Sequence, residues 1–295
     1  MWFQGVNSSQ GKGKNIMGAA ANREFVMSDQ DFKKVTDLAY EYTGIVLGPQ
    51  KRDMVYGRIA RRLRALDLTD VSDYIKLINK NSQDEVGKFI NAITTNLTSY
   101  FREPHHFEFL KRTICPELFK ANSSHKKIRV WSAGCSTGEE TYSIAITLSE
   151  NINLSNWDCK ILATDLDSQV LEKASHGVYG VDRIESLDPE MKKRWFLSDS
   201  NHTDIVKIKP KLQELISFKR LNLLESWPMK GKFDFIFCRN VLIYFNTETQ
   251  NKLFERYADA LNDNGYLIIG HSESISLDCP YFKPIGQTIY QKISK

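Results

Sequence analysis

Two adjacent carboxylates, Glu139 and Glu140, follow a run of small residues, Gly134-Cys135-Ser136-Thr137-Gly138, within the segment RVWSAGCSTGEETYSIA. A strand-like run ends in this loop, and a helix opens on the two acids. Such a loop can hold a nucleophilic serine, a dinucleotide pyrophosphate or a small cationic cofactor. The G-x-S-x-G pattern matches the nucleophile elbow of hydrolases, and Ser136, Asp234 and His271 even follow in triad order. An elbow, however, lies deep in its sheet, after β-α units that supply an oxyanion loop. Here the matching strand is the first of its sheet, and no H-G-G-G-like segment precedes it. A pyrophosphate site needs G-x-G-x-x-G and backbone amides at a helix N-terminus. Only Gly134 and Gly138 are present, and two carboxylates there would repel a pyrophosphate. They favour a cation instead.

S-adenosylmethionine carries a sulfonium and an ammonium group. Small residues would let its methionine part approach the backbone, and an acid would supply counter-charge. A second strand-like run, ILATD, ends at Asp165, 27 positions after Gly138. An acid there can accept both ribose hydroxyl hydrogens, a feature shared by dinucleotide and S-adenosylmethionine sites. The plainer readings are that one glutamate is a first-turn helix charge and that Asp165 caps the next helix. His105 and His106 are adjacent and lack the i, i+4 spacing of two ligands on one helix face, so no metal is expected.

The elements that must position these residues change character along the chain. Residues 28–90 read as a helical domain. Phe32, Val35, Leu38, Ala39 and Tyr42 recur at helical spacing before Gly44, and Val55, Ile59, Leu63 and Leu66 share one face of a second helix. Beside that face Lys51, Arg58, Arg61 and Arg62 form a basic stripe suited to an acidic partner. RNA phosphates are the alternative, but no aromatic stacking platform accompanies the stripe. Two further helices follow. From residue 128 strands alternate with helices: 128–133, 159–165, 215–221, 233–238 and 266–270 are strands, a helix over 247–261 ends at Asn264-Gly265, and a terminal hairpin closes the chain. This pattern predicts an α/β fold with a doubly wound, mostly parallel sheet and an antiparallel edge. The connection 166–214 is too long for one helix, which places a small inserted β subdomain at about 176–212. Residues 1–27 read as a disordered leader.

The 295 residues, 41% hydrophobic and 26% charged, suit one large domain plus a small one, and the net charge of +4 does not by itself imply nucleic acid. No stretch is apolar enough to span a bilayer, and no h-region of signal-peptide type opens the chain. The five cysteines form no C-x-x-C pair, as expected of reduced thiols in a cytoplasm.

Four segments, NLTSYFREPHHFEFL, VWSAGCSTGEETYSIAI, FCRNVLIYF and GHSES, carry a resemblance to the CheR family of chemotaxis methyltransferases, in order and spacing from about residue 28 to the end. The resemblance implies a class I, Rossmann-like S-adenosylmethionine-dependent methyltransferase that esterifies glutamate side chains of chemoreceptors and releases S-adenosylhomocysteine. It implies that Asn96, Thr98 and Arg102 close over the cofactor from the domain junction. Glu139 or Glu140, preferentially Glu140, then lies near the methionine part, Asp165 at the ribose and Asn222-Leu223 beside the adenine. Arg239 and Asn240 would line the pocket, with Tyr244 at its mouth. Gly134-Cys135 replaces the usual Ala-rich loop. The glutamate nucleophile is ionised at neutral pH, so no general base is needed. Arg102 and Tyr244 are the residues expected to orient it. The partner would be the cytoplasmic helical region of a receptor, and in some members a receptor tail peptide added to the inserted subdomain's strand edge. No nucleic acid or membrane insertion is expected, and the enzyme would be a monomer. The competing class is a signalling scaffold that binds the cofactor without catalysis.

Overall fold

The computed structural model describes residues 23–80 and 83–293. Helix α1 (Asp29–Thr43) opens on a capping box in which Ser28 accepts from the Asp31 amide and Asp31 accepts from the Ser28 amide. It stops at Gly44, whose φ of 71° lets its N–H reach the Tyr40 carbonyl. A 3-10 turn (Pro49–Lys51) leads into α2 (Arg52–Ala65), followed by α3 (Val71–Asn79) and α4 (Gln83–Ile93). Their apolar faces meet in one core around Val35, Ile59, Leu63, Tyr74 and Phe89.

Phe25 and Met27 belong to the same core, so residues 23–27 are not part of the disordered leader expected over 1–27. Residues 1–22 lie outside the described residues. Burying an apolar side chain gives about 1.5–3 kcal/mol, against roughly 1–2 kcal/mol for fixing a residue's backbone. Over five residues the two side chains do not offset that cost alone, and the Arg23–Asp53 and Arg64–Glu24 pairs, the Phe25 amide on Tyr56 and Arg52 on the Met27 carbonyl complete the seat.

After a linker come α5 (Pro104–Phe109), a π-helical turn (Leu110–Ile114) and α6 (Cys115–Ala121). The π turn directly precedes Pro116, which cannot donate to the regular ladder. The sheet domain then runs β1 (Lys127–Ala133), α7 (Glu139–Asn151), β2 (Asp158–Asp165) and α8 (Ser168–His176). Next come β3 (Val178–Gly180), α9 (Pro189–Trp195), β4 (Phe196–Asp199), β5 (His202–Ile208) and α10 (Pro210–Gln213). The chain closes with β6 (Ile216–Arg220), β7 (Phe233–Cys238), α11 (Thr247–Ala260), β8 (Leu261–Ile269), β9 (Phe282–Gly286) and β10 (Ile289–Lys292).

Seven strands form the main sheet in the order β6-β2-β1-β7-β8-β10-β9. β6, β2, β1, β7 and β8 are parallel, and β10 runs antiparallel to both β8 and β9. Val130 pairs with Ile161 on one side and Phe235 on the other, and all three are buried. β3-β5-β4 make a separate small antiparallel sheet.

One boundary differs from expectation. α11 ends at Ala260, not at Asn264-Gly265, and β8 begins at Leu261, which is fully buried opposite Phe233. Asn264, at φ 61°, and Gly265 form an irregularity inside the strand where the register with β7 shifts. The burial of Leu261 outweighs the turn signal four residues later. Among the described residues no helix is long and apolar enough to cross a membrane.

Candidate active site

The strand order reverses between β1 and β7, where α/β sheets leave a crevice beyond their carboxyl ends. A cleft of about 920 Å³, counting its open mouth, lies there. Its walls are the turns after β1, β2 and β7, the segment after β6, the 94–102 linker and the end of α1.

The turn after β1 is held down by the Gly134 and Cys135 amides, which donate to the Thr164 carbonyl at 2.8 and 2.9 Å. Gly134 sits at φ 87°, and a Cβ there would lie 2.3 Å from Val241 Cγ2. Only glycine leaves the floor open. Asp165, at the end of β2, accepts from the Ser136 amide at 2.8 Å and the Asp167 amide at 3.0 Å. The protein packed around its carboxyl pushes the pKa up to about 6, against the pull of these amides.

Glu140 is buried on the first turn of α7. Its Oε1 accepts from Ser132 Oγ at 2.8 Å, and its Oε2 meets Arg239 Nη1 at 3.1 Å. Burial pushes its pKa up, and Arg239 and Ser132 oppose this. Arg239 is almost wholly enclosed. Its Nη2 lies 3.2 Å from Glu103 Oε2 and also donates to the Arg102 carbonyl. Glu103 in turn accepts from the His271 amide at 3.1 Å and from His271 Nδ1 at 2.7 Å. Burial would raise the Glu103 carboxyl, but His271 and the Arg239 charge outweigh it and hold it down at about 2.

Glu139 does not join this pocket. It turns away to accept from Thr137 Oγ1 at 2.6 Å and to pair with Arg183 of the inserted subdomain. Arg183 also donates to the Thr98 carbonyl at 2.7 Å. Glu139 therefore ties the insertion to the linker, and of the two glutamates it is Glu140 that lines the cleft.

Asn96, Thr98 and Arg102 line the cleft from the linker. Asn96 Nδ2 donates to Asp167 at 2.8 Å, and its carbonyl accepts from Ser136 Oγ at 2.9 Å. The Arg102 guanidinium, partly exposed, donates to the Leu97 carbonyl at 2.9 Å. Asn222 and Leu223 line the wall after β6, with Asn222 Nδ2 donating to the Tyr42 carbonyl at 3.2 Å. Asn240 and Tyr244 lie after β7. Asn240 adopts φ 58°, and its amide donates to Glu273 at 3.0 Å. The Tyr244 carbonyl accepts from the Val46 amide at 2.9 Å, so the segment after α1 buttresses this wall of the cleft.

Two other groupings dissolve. Ser136, Asp234 and His271 are not a triad. Asp234 stands at the start of β7 and accepts from the Arg129 amide, whereas Ser136 follows the far end of the parallel β1. His271 pairs with Glu103 instead. The basic stripe also divides. Arg62 forms a bidentate pair with the buried Glu85 at 2.8 and 3.0 Å. Arg58 donates to the Ile93 and Thr94 carbonyls and to Thr95 Oγ1. Only Lys51 and Arg61 of the four are exposed. Both half-buried arginines answer groups far along the chain, which a helical wheel does not show.

Sequence reasoning passed over Glu103, Glu273, and Thr43 and Ile45 from the end of α1, which also line the cleft or hold its walls. The segments FREPHHF and GHSES contain the first two, so a signal existed. Among the described residues, ligand atoms of Glu103, His105 and His106 lie within 4.8 Å of one another. Glu103 is already engaged by Arg239 and His271, and the Arg239 charge opposes a divalent ion.

A glycine floor, a carboxylate at the second strand end and a buried acid for counter-charge fit S-adenosylmethionine. Together with the strand order they define a class I S-adenosylmethionine-dependent methyltransferase. The chain belongs to the CheR methyltransferase family, matching its all-alpha domain over residues 30–94 and its SAM binding domain over residues 96–291. It is similar to the chemotaxis protein methyltransferases of Salmonella typhimurium and Escherichia coli, each 40% identical over 288 residues, 97% of this chain and 98% of theirs. That of Klebsiella aerogenes is 42% identical over 267 residues, 90% of each chain.

Proposed function

We infer that this protein transfers a methyl group from S-adenosylmethionine to glutamate side-chain carboxylates of chemoreceptors. The products are glutamyl methyl esters and S-adenosylhomocysteine. The observation that carries this reading is the convergence of Asp165 and the Glu140–Arg239 pair on one pocket that Arg102 and Tyr244 also line. When bound, the cofactor supplies a methyl carbon activated by its sulfonium.

The residues of the chain do the positioning. Asp165 accepts from the ribose, Glu140 offsets the cofactor's positive charge, and Asn222 and Leu223 frame the adenine. Arg102 and Tyr244 donate to the incoming carboxylate and aim one oxygen at the methyl carbon. A C–O bond forms as the C–S bond breaks, and the negative and positive charges cancel. No proton is transferred, since the acceptor is ionised at neutral pH. Alignment and exclusion of water supply most of the acceleration.

The partner reading is finer. The receptor's cytoplasmic helical region docks at the mouth, where the exposed Lys51 and Arg61 face its acidic surface. β4 lies at the edge of the small sheet and offers its backbone to a receptor tail peptide. The enzyme acts as a monomer in the cytoplasm, in keeping with its five free cysteines.

The test is incubation of a chemoreceptor cytoplasmic fragment with the protein and S-adenosylmethionine, then peptide mass spectrometry. Methyl esters on glutamate-containing peptides are expected. Methylation confined to lysine or arginine would contradict the reading.

A further inference from the structure

Four charged side chains meet behind the mouth of the pocket. Glu140 pairs with Arg239 at 3.1 Å, Arg239 with Glu103 at 3.2 Å, and Glu103 Oε1 lies 3.9 Å from Arg102 Nε. Two negative and two positive groups leave the cluster neutral. His106, buried against Glu103, adds no charge, since burial and the neighbouring Arg239 hold its pKa down at about 3. Glu103 is the shared member. Its carboxylate contacts Arg239, His271 and Arg102, and it occupies φ 57°, a left-handed conformation rare outside glycine. Ser136 and Asn240 in the cleft lining, and Phe101 beside it in the linker, also have positive φ, between 49° and 58°. Strain of this kind persists where surrounding structure enforces it, commonly at functional sites.

We propose that Glu103 is a positioning residue for methyl transfer. Its carboxylate, held by His271, joins the cofactor-side pair Arg239–Glu140 to the acceptor-side Arg102, and its charge sets the pocket's preference for the sulfonium cofactor over its neutral thioether product. The inference rests on the methyltransferase reading of the site. S-adenosylmethionine is one unit more positive than S-adenosylhomocysteine, and otherwise the two offer the same adenine, ribose and amino-acid groups. Removing the Glu103 charge leaves the cluster with one excess positive charge. That excess opposes the sulfonium and is indifferent to the thioether. Loss of packing alone would weaken both ligands alike.

The experiment is calorimetric titration of the full chain with each ligand, comparing the ratio of the two dissociation constants among variants. Glu103→Gln should raise the ratio Kd(S-adenosylmethionine)/Kd(S-adenosylhomocysteine) about five-fold, the order expected for one charge across a partly hydrated pocket. Glu108→Gln removes an exposed carboxylate that pairs with Arg112 at 3.0 Å. It changes the net charge equally and should leave the ratio unmoved. Arg102→Gln removes a positive member and should lower the ratio, which keeps the test available if Glu103→Gln does not fold. A Glu103→Gln protein that melts cooperatively with the wild-type ratio would overturn the proposal, as would an Arg102→Gln ratio that is unchanged or raised. Failure of the wild-type protein to bind either ligand would instead overturn the methyltransferase reading beneath it.

Discussion

Asp165 and Glu140 both line one cleft, yet their partners differ: backbone amides for Asp165, Arg239 and Ser132 for Glu140. Asp165 has its pKa raised to about 6. In the proposed role, ribose hydroxyls would donate best to its ionised form, so cofactor binding would favour the deprotonated protein. Affinity should therefore be flat well above pH 6 and fall as pH drops through it, by at most ten-fold per unit. Calorimetric titration at pH 5 and pH 7.5 checks this; equal affinities would contradict the role. Asp165→Ala should cost at least about ten-fold in affinity at pH 7.5, the order of one charged hydrogen bond. The positions of Asp165 and Gly134 in the cleft wall were legible because each depends on its own place at a strand end. Residue spacing did not separate Glu139 from Glu140, and only the family resemblance favoured Glu140. Adjacent helical residues point about 100° apart, and their partners Arg183 and Arg239 lie 44 and 99 residues away.

At the scale of elements, the turn after β1 is tightly constrained. Gly134→Ala places a methyl 2.3 Å from Val241 Cγ2 on a backbone at φ 87°. It should destabilise the fold by about 1–3 kcal/mol and weaken cofactor binding as Val241 is displaced into the pocket. Thermal melting with and without S-adenosylmethionine reads both effects, and a wild-type melting temperature would contradict the steric account. The strands of the large sheet were readable because strands buried on both faces appear as near-continuous apolar runs; FDFIFC coincides with β7, Phe233–Cys238. The α11–β8 boundary was not readable. The alternation that places Leu261 in the sheet is visible only once Phe233 is opposite it.

For the whole molecule, the two helical and sheet cores are joined by a linker that also lines the active site. Arg58 of α2 fastens that linker through the Ile93 and Thr94 carbonyls and Thr95 Oγ1. Val46–Tyr244 and Tyr42–Asn222 contacts add direct bridges. Arg58→Ala should cost about 1–3 kcal/mol, weaken cofactor binding and speed proteolysis in the linker. Unchanged cleavage and affinity would show that the linker is held by other means. This docking escaped the sequence because Arg58 sits in a run of arginines, and only the fold tells an anchoring arginine from a solvent-facing one.

The central claim, transfer to a carboxylate, is tested most directly by the chemistry of its product. Membranes containing chemoreceptors from the same organism are incubated with the protein and methyl-labelled S-adenosylmethionine, washed and treated with alkali. Methyl esters release methanol in base, whereas N-methyl groups and ribose O-methyl groups do not. The account predicts volatile label with the wild-type protein and almost none with Arg102→Ala. Label that stays in the alkali-treated protein, or no label from a protein that binds the cofactor, would contradict it.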